Sequence, residues 1–296
     1  MALTKVEAAK LTQDLMVRGV IDTIVRDSPL FQMLPFMDVV GSAVTYNREA
    51  TNPAASFYDV GDTWTEATPT FTQVTAPLRI MGGDADIDRF LQQTYADPND
   101  LEVEIIKKRA KAVAHLYGDA FYNGDSAVNA KSFDGLTKVL SGSAGQEVSL
   151  GPNGGPLTLD SLDQMIDLIP GGRPDALLMS KRSRRKLSTL RRSSGNLLET
   201  TVDAFGRHVV MYDGIPVLAD DNVSDAQTQG SGTQCSSIYA VRFGMEGVMG
   251  LQNSELQVVE VGDLEAKDAG RWRIKWYASA AVFSTLGVAR VKGILP

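Results

Sequence analysis

The sequence predicts an α+β fold, in which one long helix is combined with many short strands. Three observations lead to this prediction. Residues 41–82 alternate like a pair of strands but contain few apolar side chains. Residues 98–123 carry apolar side chains at steps of three and four, the spacing of one long helix. After residue 151, short helices with capping residues alternate with short apolar strands.

The first forty residues are predicted to form an arm. A capping box at Thr4 and Glu7, and helical apolar spacing after Thr12, predict two helices before Ser28. The next stretch is apolar and interrupted by proline, and it contains Leu30, Phe31, Leu34 and Phe36. This pattern is typical of a segment that reaches out and docks, more than of a compact domain.

Residues 41–82 are predicted to form a long hairpin. Residues 44–48 and 70–75 alternate as strands, and the tip at residues 51–64 is rich in turn residues. A two-stranded hairpin with so little to bury is marginally stable alone in water. We therefore expect something to cover it, and a second copy of the same chain is the simplest cover. The alternative is that its aromatic side chains fold back onto the parent subunit.

A strand and the long helix follow the hairpin. Residues 80–90 alternate, with Asp84, Asp86 and Asp88 on one side. Acidic residues at the start of residues 98–123 favour a helix N-terminus. A helix of this length would be a rod of about 37 Å, long enough to be a spine against which sheets pack.

The remaining chain is predicted to hold alternating helices and strands. A glycine-rich tract at residues 141–156 indicates a domain boundary, and Thr158 and Ser180 are candidate caps of two helices. Asp213 and Gly214 form a hairpin signal. The predicted strands are residues 176–179, 208–212, 215–219, 237–243, 256–261 and 272–285, with a polar loop at 220–233 and a charged turn at 263–270.

Composition excludes several classes of protein. No apolar run approaches the ~20 residues of a membrane span, and the N-terminus has no basic region followed by an apolar one, so neither membrane insertion nor secretion is expected. The net charge of −7 argues against a sequence-reading nucleic-acid binder. A single cysteine excludes an internal disulfide and favours a reducing cytoplasm.

No candidate catalytic, cofactor or metal site emerges. Cys235 has only His115 and His208 as candidate bases, and no third group that would orient them. Asp84 begins a sequence like a calcium loop, but Arg89 stands where glycine is required and Tyr95 where glutamate is required. Phosphate-binding glycine motifs are absent from the sequence. The sequence therefore indicates a protein that is not an enzyme and carries no cofactor.

One strong cluster of positive charge lies on a predicted helix. Its residues are Lys181, Arg182, Arg184, Arg185, Lys186, Arg191 and Arg192. The cluster has no interleaved aromatic residues, so base stacking is not expected. A solvated face or a salt-bridge surface between subunits is favoured, and loose contact with phosphates is the alternative.

In their order and spacing, these elements resemble the major capsid proteins of tailed bacteriophages, the Hong Kong 97-type coat protein family. Residues 11–36 resemble that family's N-terminal arm, and residues 43–49 with 64–66 resemble its extended loop. Residues 121–125 and 133–136 resemble the exit from its spine helix, and residues 238–244 resemble the end of its axial domain. Each motif is weak alone, and the order of all of them is more specific.

The resemblance implies a domain organisation and a function. It implies an N-terminal arm at 1–40, an extended loop at 41–82, a peripheral domain at 83–150 and 254–296 with the spine helix near 98–123, and an axial domain at 151–253. Residues 288–294 would be the last strand of the peripheral domain. The expected function is a structural subunit of pentamers and hexamers in the icosahedral shell around phage DNA, located in the virion and assembled in the host cytoplasm.

The resemblance also implies assembly contacts. In the extended loop, Tyr46, Phe57, Tyr58 and Trp64 are the expected anchors, and Arg48, Glu49, Asp59, Asp62 and Arg79 are the expected polar contacts. In the turn that would meet its mates at threefold positions, the expected contacts are Glu265, Lys267, Asp268 and Arg271. The expected partners are further copies of the chain, a portal, a decoration protein and non-specifically bound double-stranded DNA.

Two departures from the family pattern lead to further expectations. Some relatives carry a cleaved N-terminal scaffolding segment, whereas this chain begins at the arm, so scaffolding is either a separate protein or already removed. Others crosslink through a lysine in the extended loop, but no lysine lies between Lys10 and Lys107. Shells of this chain are therefore expected to be held non-covalently.

Three other functions remain open from the sequence. The first is the shell of an encapsulin-type bacterial nanocompartment, which would hold enzymes in place of DNA. The second is an α/β enzyme with an unrecognised site. The third is a tail or decoration protein, which would form rings, tubes or trimers and no closed shell.

Overall fold

A computed structural model describes residues 29–51, 53–89, 98–143, 145–195, 199–202 and 208–296. The two helices predicted before Ser28 lie outside these residues. The described helices are α1 (Pro29–Met33), α2 (Pro98–Asn123), α3 (Leu136–Ser141), α4 (Leu159–Asp167) and α5 (Lys181–Ser193), with a 3-10 turn at Thr285–Gly287. None of these helices is both long and apolar enough to cross a membrane.

The strands of the described residues confirm the predicted α+β class. They are β1 (Phe36–Asp38), β2 (Ala43–Thr51), β3 (Thr70–Pro77), β4 (Arg79–Asp88), β5 (Glu147–Ser149), β6 (Ala176–Met179), β7 (Glu199–Val202), β8 (His208–Tyr212), β9 (Ile215–Ala219), β10 (Gln227–Gln229), β11 (Gly232–Val241), β12 (Val248–Gln252), β13 (Gln257–Asp263), β14 (Ala269–Val282) and β15 (Val288–Ile294).

The first sheet is built around the long strand β14. Its order is β1-β12-β14-β13, and β4 also pairs with β14. The predicted long helix is observed as α2, and its apolar face packs against β4 and β14. Tyr117 and Phe121 of α2 are fully buried, and Tyr117 lies 5.0 Å from Trp276 of β14 between ring centroids. The helix is therefore the spine of this layer, as its periodicity predicts.

The first described residues pack onto this same core. Leu30 of α1 is fully buried, and the ring of Phe31 lies 5.4 Å from that of Tyr117. Phe36 begins β1, which pairs in parallel with β12, and its ring lies 5.5 Å from Trp276. These residues of the expected arm therefore pack on the core of their own subunit.

The second sheet has the order β5-β15-β11-β6-β9-β8-β7, with β10 paired to β11. Helix α4 contributes the buried Leu162 and Met165 to its core, and α5 contributes Leu187. Residues 288–294, which were assigned to the peripheral domain, form β15, which pairs with β11 and β5 in this sheet. Strand β12, which was assigned to the axial domain, pairs instead with β14 in the first sheet. Alternating apolar residues predict that a strand exists. They do not predict which strand it pairs with, because the partner lies far away in the sequence.

Local signals for caps and turns are confirmed. The Thr158 side chain caps α4 by accepting from the Ser161 amide, and Ser180 caps α5 by accepting from the Ser183 amide. Asp213 and Gly214 both adopt positive φ, 49° and 74°, as a two-residue hairpin turn requires.

The predicted hairpin is observed as the antiparallel pair β2 and β3. Within the described part of the chain, these strands pair with each other and with no further strand. A small cluster of Val39, Ala76, Leu251 and Ala281 packs beneath the base of the hairpin. Residues 53–69, the tip, contain no regular strand.

Candidate assembly surfaces

The tip of the hairpin exposes large apolar side chains. The side chains of Phe57 and Val60 are fully exposed, at 108% and 101% of reference, and Trp64 is 78% exposed. The ring of Tyr58 stacks on Trp64 at 4.4 Å, and its hydroxyl lies 2.8 Å from Thr65 Oγ1. The tip thus presents aromatic groups that the rest of its own subunit does not cover.

The acidic residues of the tip organise its turn. The Asp59 amide donates to Asp62 Oδ2 at 2.6 Å, and the Val60 amide donates to Asp59 Oδ1 at 2.7 Å. Glu49 is exposed on β2. No arginine or lysine among the described residues forms a salt bridge with these carboxylates. Their negative charge is therefore available at the surface.

Tyr46 and Arg48 instead anchor the base of the hairpin to its own chain. The Tyr46 hydroxyl donates to the Val282 carbonyl at 2.9 Å, and burial raises its pKa. The Arg48 Nε donates to the Phe283 carbonyl at 3.2 Å, and its guanidinium lies 5.5 Å from the Tyr46 ring. For these two residues the structure supports the alternative in which the arm's side chains fold back, so they are not free anchors.

A cavity of about 450 Å³ lies beside this base. It is open to solvent on one side and is lined by the hairpin strands, the end of β14 and the segment around α3. Arg79, a predicted polar contact, lines this cavity together with Arg48 and Asp134. The Arg79 Nε is buried and has no hydrogen-bond partner within the described ranges.

The predicted charged turn is observed between β13 and β14, and its role at threefold positions stays a prediction. Glu265, Lys267 and Asp268 are exposed there. Arg271 does not belong to this turn, because it lies in β14 and binds Asp86 through two hydrogen bonds of 2.6 and 2.8 Å. This pairing with a residue of its own chain corrects the expectation that Arg271 is a free contact in the turn.

Aspartates of β4 and arginines of β14 form a charged ladder. Arg273 binds Asp84 at 2.7 and 2.9 Å, beside the pair of Arg271 and Asp86. The hydrogen bonds from these arginines lower the pKa of both carboxyl groups. Two aspartates of the acidic side of β4 therefore pair with arginines of the neighbouring strand β14.

The basic helix α5 is divided between two environments. Lys181 pairs with Asp221 at 2.6 Å, Arg182 pairs with Asp225 at 3.4 Å, and Arg191 lies over the ring of Tyr212. Arg184, Arg185, Lys186 and Arg192 form no salt bridge with the residues that the structure describes. Part of the predicted cluster therefore stabilises the subunit, and the rest remains at the surface.

Two charged features were missed from the sequence. Helix α2 exposes Lys107, Lys108, Arg109 and Lys111 in a stretch without acidic residues. Arg290, which is buried in β15, donates to Glu147 at 3.1 Å and to Ser237 at 3.0 Å. The first feature is visible in the sequence on the polar side of the helix, whereas the second depends on long-range strand pairing.

Two of the residues considered for chemistry, Cys235 and His115, differ in burial. Cys235 is buried in β11, and His115 is exposed on α2. The described residues contain no group of three or more histidine, cysteine, aspartate or glutamate side chains that could hold a metal ion.

Sequence comparisons relate the chain to one known protein family. The sequence model described as "Phage capsid family" matches residues 10–258. A comparison with curated protein sequences finds no match.

Three solved structures show the extent of the structural similarity. The chain is similar to the holo-SrpI encapsulin complex from Synechococcus elongatus PCC 7942, with a TM-score of 0.72 and 18% identity over 99% of this chain and 96% of that one. The capsid of the native GTA particle gives a TM-score of 0.65 and 17% identity over 92% and 91%. A structure from Mycobacterium phage Bobi gives 0.61 and 16% identity over 89% of each chain.

Proposed function

The chain belongs to the phage capsid family, and on that premise we propose that its copies form the pentamers and hexamers of an icosahedral head shell around phage DNA. It has the Hong Kong 97-type fold and is a structural shell subunit that assembles with further copies of itself. Its location is the capsid of the virion.

The uncovered hairpin tip is the observation that carries the proposed mode of assembly. Phe57, Val60 and Trp64 expose nearly all of their surface, and large exposed aromatic groups mark interaction sites. The base of the hairpin is held by Tyr46 and Arg48. A fixed base and an uncovered tip suit an arm that lies over a neighbouring subunit.

The two sheets support a proposed division into domains. The first sheet with the spine helix α2 is the peripheral domain, and the second sheet is the axial domain that forms the hub of each ring. The exposed turn between β13 and β14 would meet its mates at threefold positions through Glu265, Lys267 and Asp268. The contacts proposed for the hairpin are Glu49, Phe57, Tyr58, Asp59, Asp62, Trp64 and Arg79.

Further partners follow from the same proposal. A separate scaffolding protein, a portal and a decoration protein would act during or after assembly in the host cytoplasm. The unpaired cations of α5 would contact phosphates or a neighbouring subunit without reading sequence. The subunit would have no catalytic activity of its own.

An encapsulin-type shell is the second candidate, favoured by the similarity to the SrpI encapsulin complex. Extracting nucleic acid from particles produced in the natural context distinguishes the two. Double-stranded DNA of uniform length supports the phage head, whereas particles that contain protein cargo and no DNA support the nanocompartment.

Deleting residues 52–63 tests the proposed role of the hairpin. The deletion removes most of the uncovered tip, so we expect a subunit that folds but does not close shells. The control replaces the same residues with an equally long Gly-Ser linker, which keeps the loop and removes its side chains. Electron microscopy and light scattering report closed shells, and circular dichroism reports folding. Normal shells from both variants would refute the role of the hairpin.

A further inference from the structure

The cavity beside the hairpin base is built from three parts of the chain. Its walls are residues 74–77 of β3, residues 279–282 of β14, and residues from Phe133 to Ser143 around α3. Tyr46 and Arg48 form the side toward β2. Its volume of about 450 Å³ is large enough for several side chains.

Two buried polar groups at this cavity lack partners. The side chain of Ser279 is 1% exposed, and its Oγ accepts and donates no hydrogen bond within the described part of the chain. The Nε of Arg79 is likewise buried without a partner. A buried polar group without a hydrogen bond is costly, so a polar occupant that drew these groups into hydrogen bonds would lower that cost.

The charge of the lining indicates that the occupant is acidic. Arg48 and Arg79 supply two guanidinium groups, while Asp134 is the carboxylate among the lining residues. One oxygen of Asp134 accepts from the Ser126 amide at 2.8 Å. The excess positive charge and the unpaired Nε–H suit a carboxylate, which arginine binds with strong charge-assisted hydrogen bonds.

The charge of the hairpin tip is complementary to that of the cavity lining. Between residues 50 and 78 the chain contains Asp59, Asp62 and Glu66 and no lysine or arginine. The tip also exposes Phe57 and Trp64, so it could fill apolar as well as polar volume. No residue of the tip lines the cavity of its own chain, so the tip would have to come from another subunit.

We propose that this cavity receives the acidic hairpin tip of a second copy of the chain, with a tip carboxylate bound to the Arg79 guanidinium. This inference rests on the proposed assembly function and names the surface that the arm contacts. The tip and the cavity are different patches of one subunit, so the contact is heterologous and repeats from one copy to the next around a ring.

A pair of engineered cysteines tests where the tip lies. Val60→Cys places a thiol on the tip, and Gly142→Cys places one at the cavity, where an added Cβ would lie 3.6 Å from the Val139 carbonyl. The native Cys235 is buried. After mild oxidation of assembled particles, we expect a ladder of covalent multimers on a non-reducing denaturing gel.

The control pair combines Val60→Cys with Ser193→Cys, which lies at the exposed end of α5. Two results would overturn the inference while leaving the assembly function intact. One is shells that give no more covalent multimers than the control pair, and the other is a crosslink formed within a single chain. Failure of the parent chain to assemble even with its scaffolding partner would overturn the proposed function, and this inference with it.

Arg79→Gln separately tests the contact between the Arg79 guanidinium and a carboxylate of the tip. Loss of the guanidinium should raise the subunit concentration required for half-maximal assembly by about tenfold or more, because it removes a desolvated charge pair. Thermal melting of the unassembled subunit checks that the variant folds. An unchanged assembly concentration in a folded variant would refute the Arg79–carboxylate contact.

Discussion

Phe57→Ala should weaken assembly without weakening the fold. Phe57 is fully exposed in the isolated subunit, so truncation removes almost no contact from it. The unfolding free energy should therefore change by less than about 0.5 kcal/mol. If a neighbour buries about 120 Å² of this side chain, then at about 25 cal/mol per Å² the contact contributes about 3 kcal/mol. Each such contact would then weaken by roughly 100-fold.

The assay compares two transitions of the same variant. Light scattering over a dilution series gives the concentration needed for assembly, and urea denaturation of unassembled subunits gives the unfolding free energy. The control is Met245→Ala, which truncates another exposed apolar side chain, in the loop before β12. Wild-type assembly by Phe57→Ala would refute the proposed contact. A loss of more than about 1 kcal/mol in subunit stability would show instead that the tip folds back onto its parent.

Further predictions concern the subunit and its shell. Glu147→Gln should lower the unfolding free energy by about 2 to 3 kcal/mol in urea denaturation, because it leaves the buried Arg290 without its counter-charge. Tyr46→Phe removes the bond to the main chain of β14, so amide exchange in the hairpin should accelerate while α2 is unaffected. The pKa of Asp84 is lowered by its arginine, so its stabilisation is present above about pH 4 and is lost as pH falls further. Asp84→Asn should therefore flatten the acid side of the stability curve. Because no lysine lies between Lys10 and Lys107, shells boiled in detergent should run as single chains, and a ladder would contradict non-covalent assembly.

Elements with strong local signals could be predicted from the sequence. The long helix begins and ends where its acidic first turn and Asn123 predict. The caps at Thr158 and Ser180 and the turn at Asp213 depend on neighbours within three residues, so a single sequence contains the needed information. The hairpin strands were also predicted correctly, because their alternation is regular.

Long-range pairing was the part that could not be predicted. Strand β15 could equally have joined either sheet, since its buried run of valine, alanine and isoleucine suits any central position. The pairing of β15 with β11 decides which sheet it joins, and the residues of β11 lie about 50 positions earlier in the chain. The short strands β1 and β5 were missed for the same reason, because each has three residues and is stabilised by a distant partner.

The same limit applies to the candidate contacts. Aromatic and charged residues of the hairpin look equivalent in the sequence, yet the structure divides them into two groups. Tyr46 and Arg48 are held by carbonyls at the end of β14, more than 230 positions away, while Phe57 and Trp64 contact no core. Only the position of the hairpin base over the first sheet makes this distinction.

The hairpin and the cavity beside it leave apolar and polar groups unsatisfied in the isolated subunit. In the main core, by comparison, Tyr117, Phe121, Tyr122 and Tyr239 are fully buried. At the hairpin, by contrast, Phe57 and Trp64 lack cover, and the nearby cavity holds the unpaired polar atoms of Arg79 and Ser279. An exposed acidic and aromatic tip and an arginine-lined cavity would each be a liability in a monomer. In a ring of identical copies, one contact would satisfy both, which is why the physical costs of the isolated chain argue for its assembly.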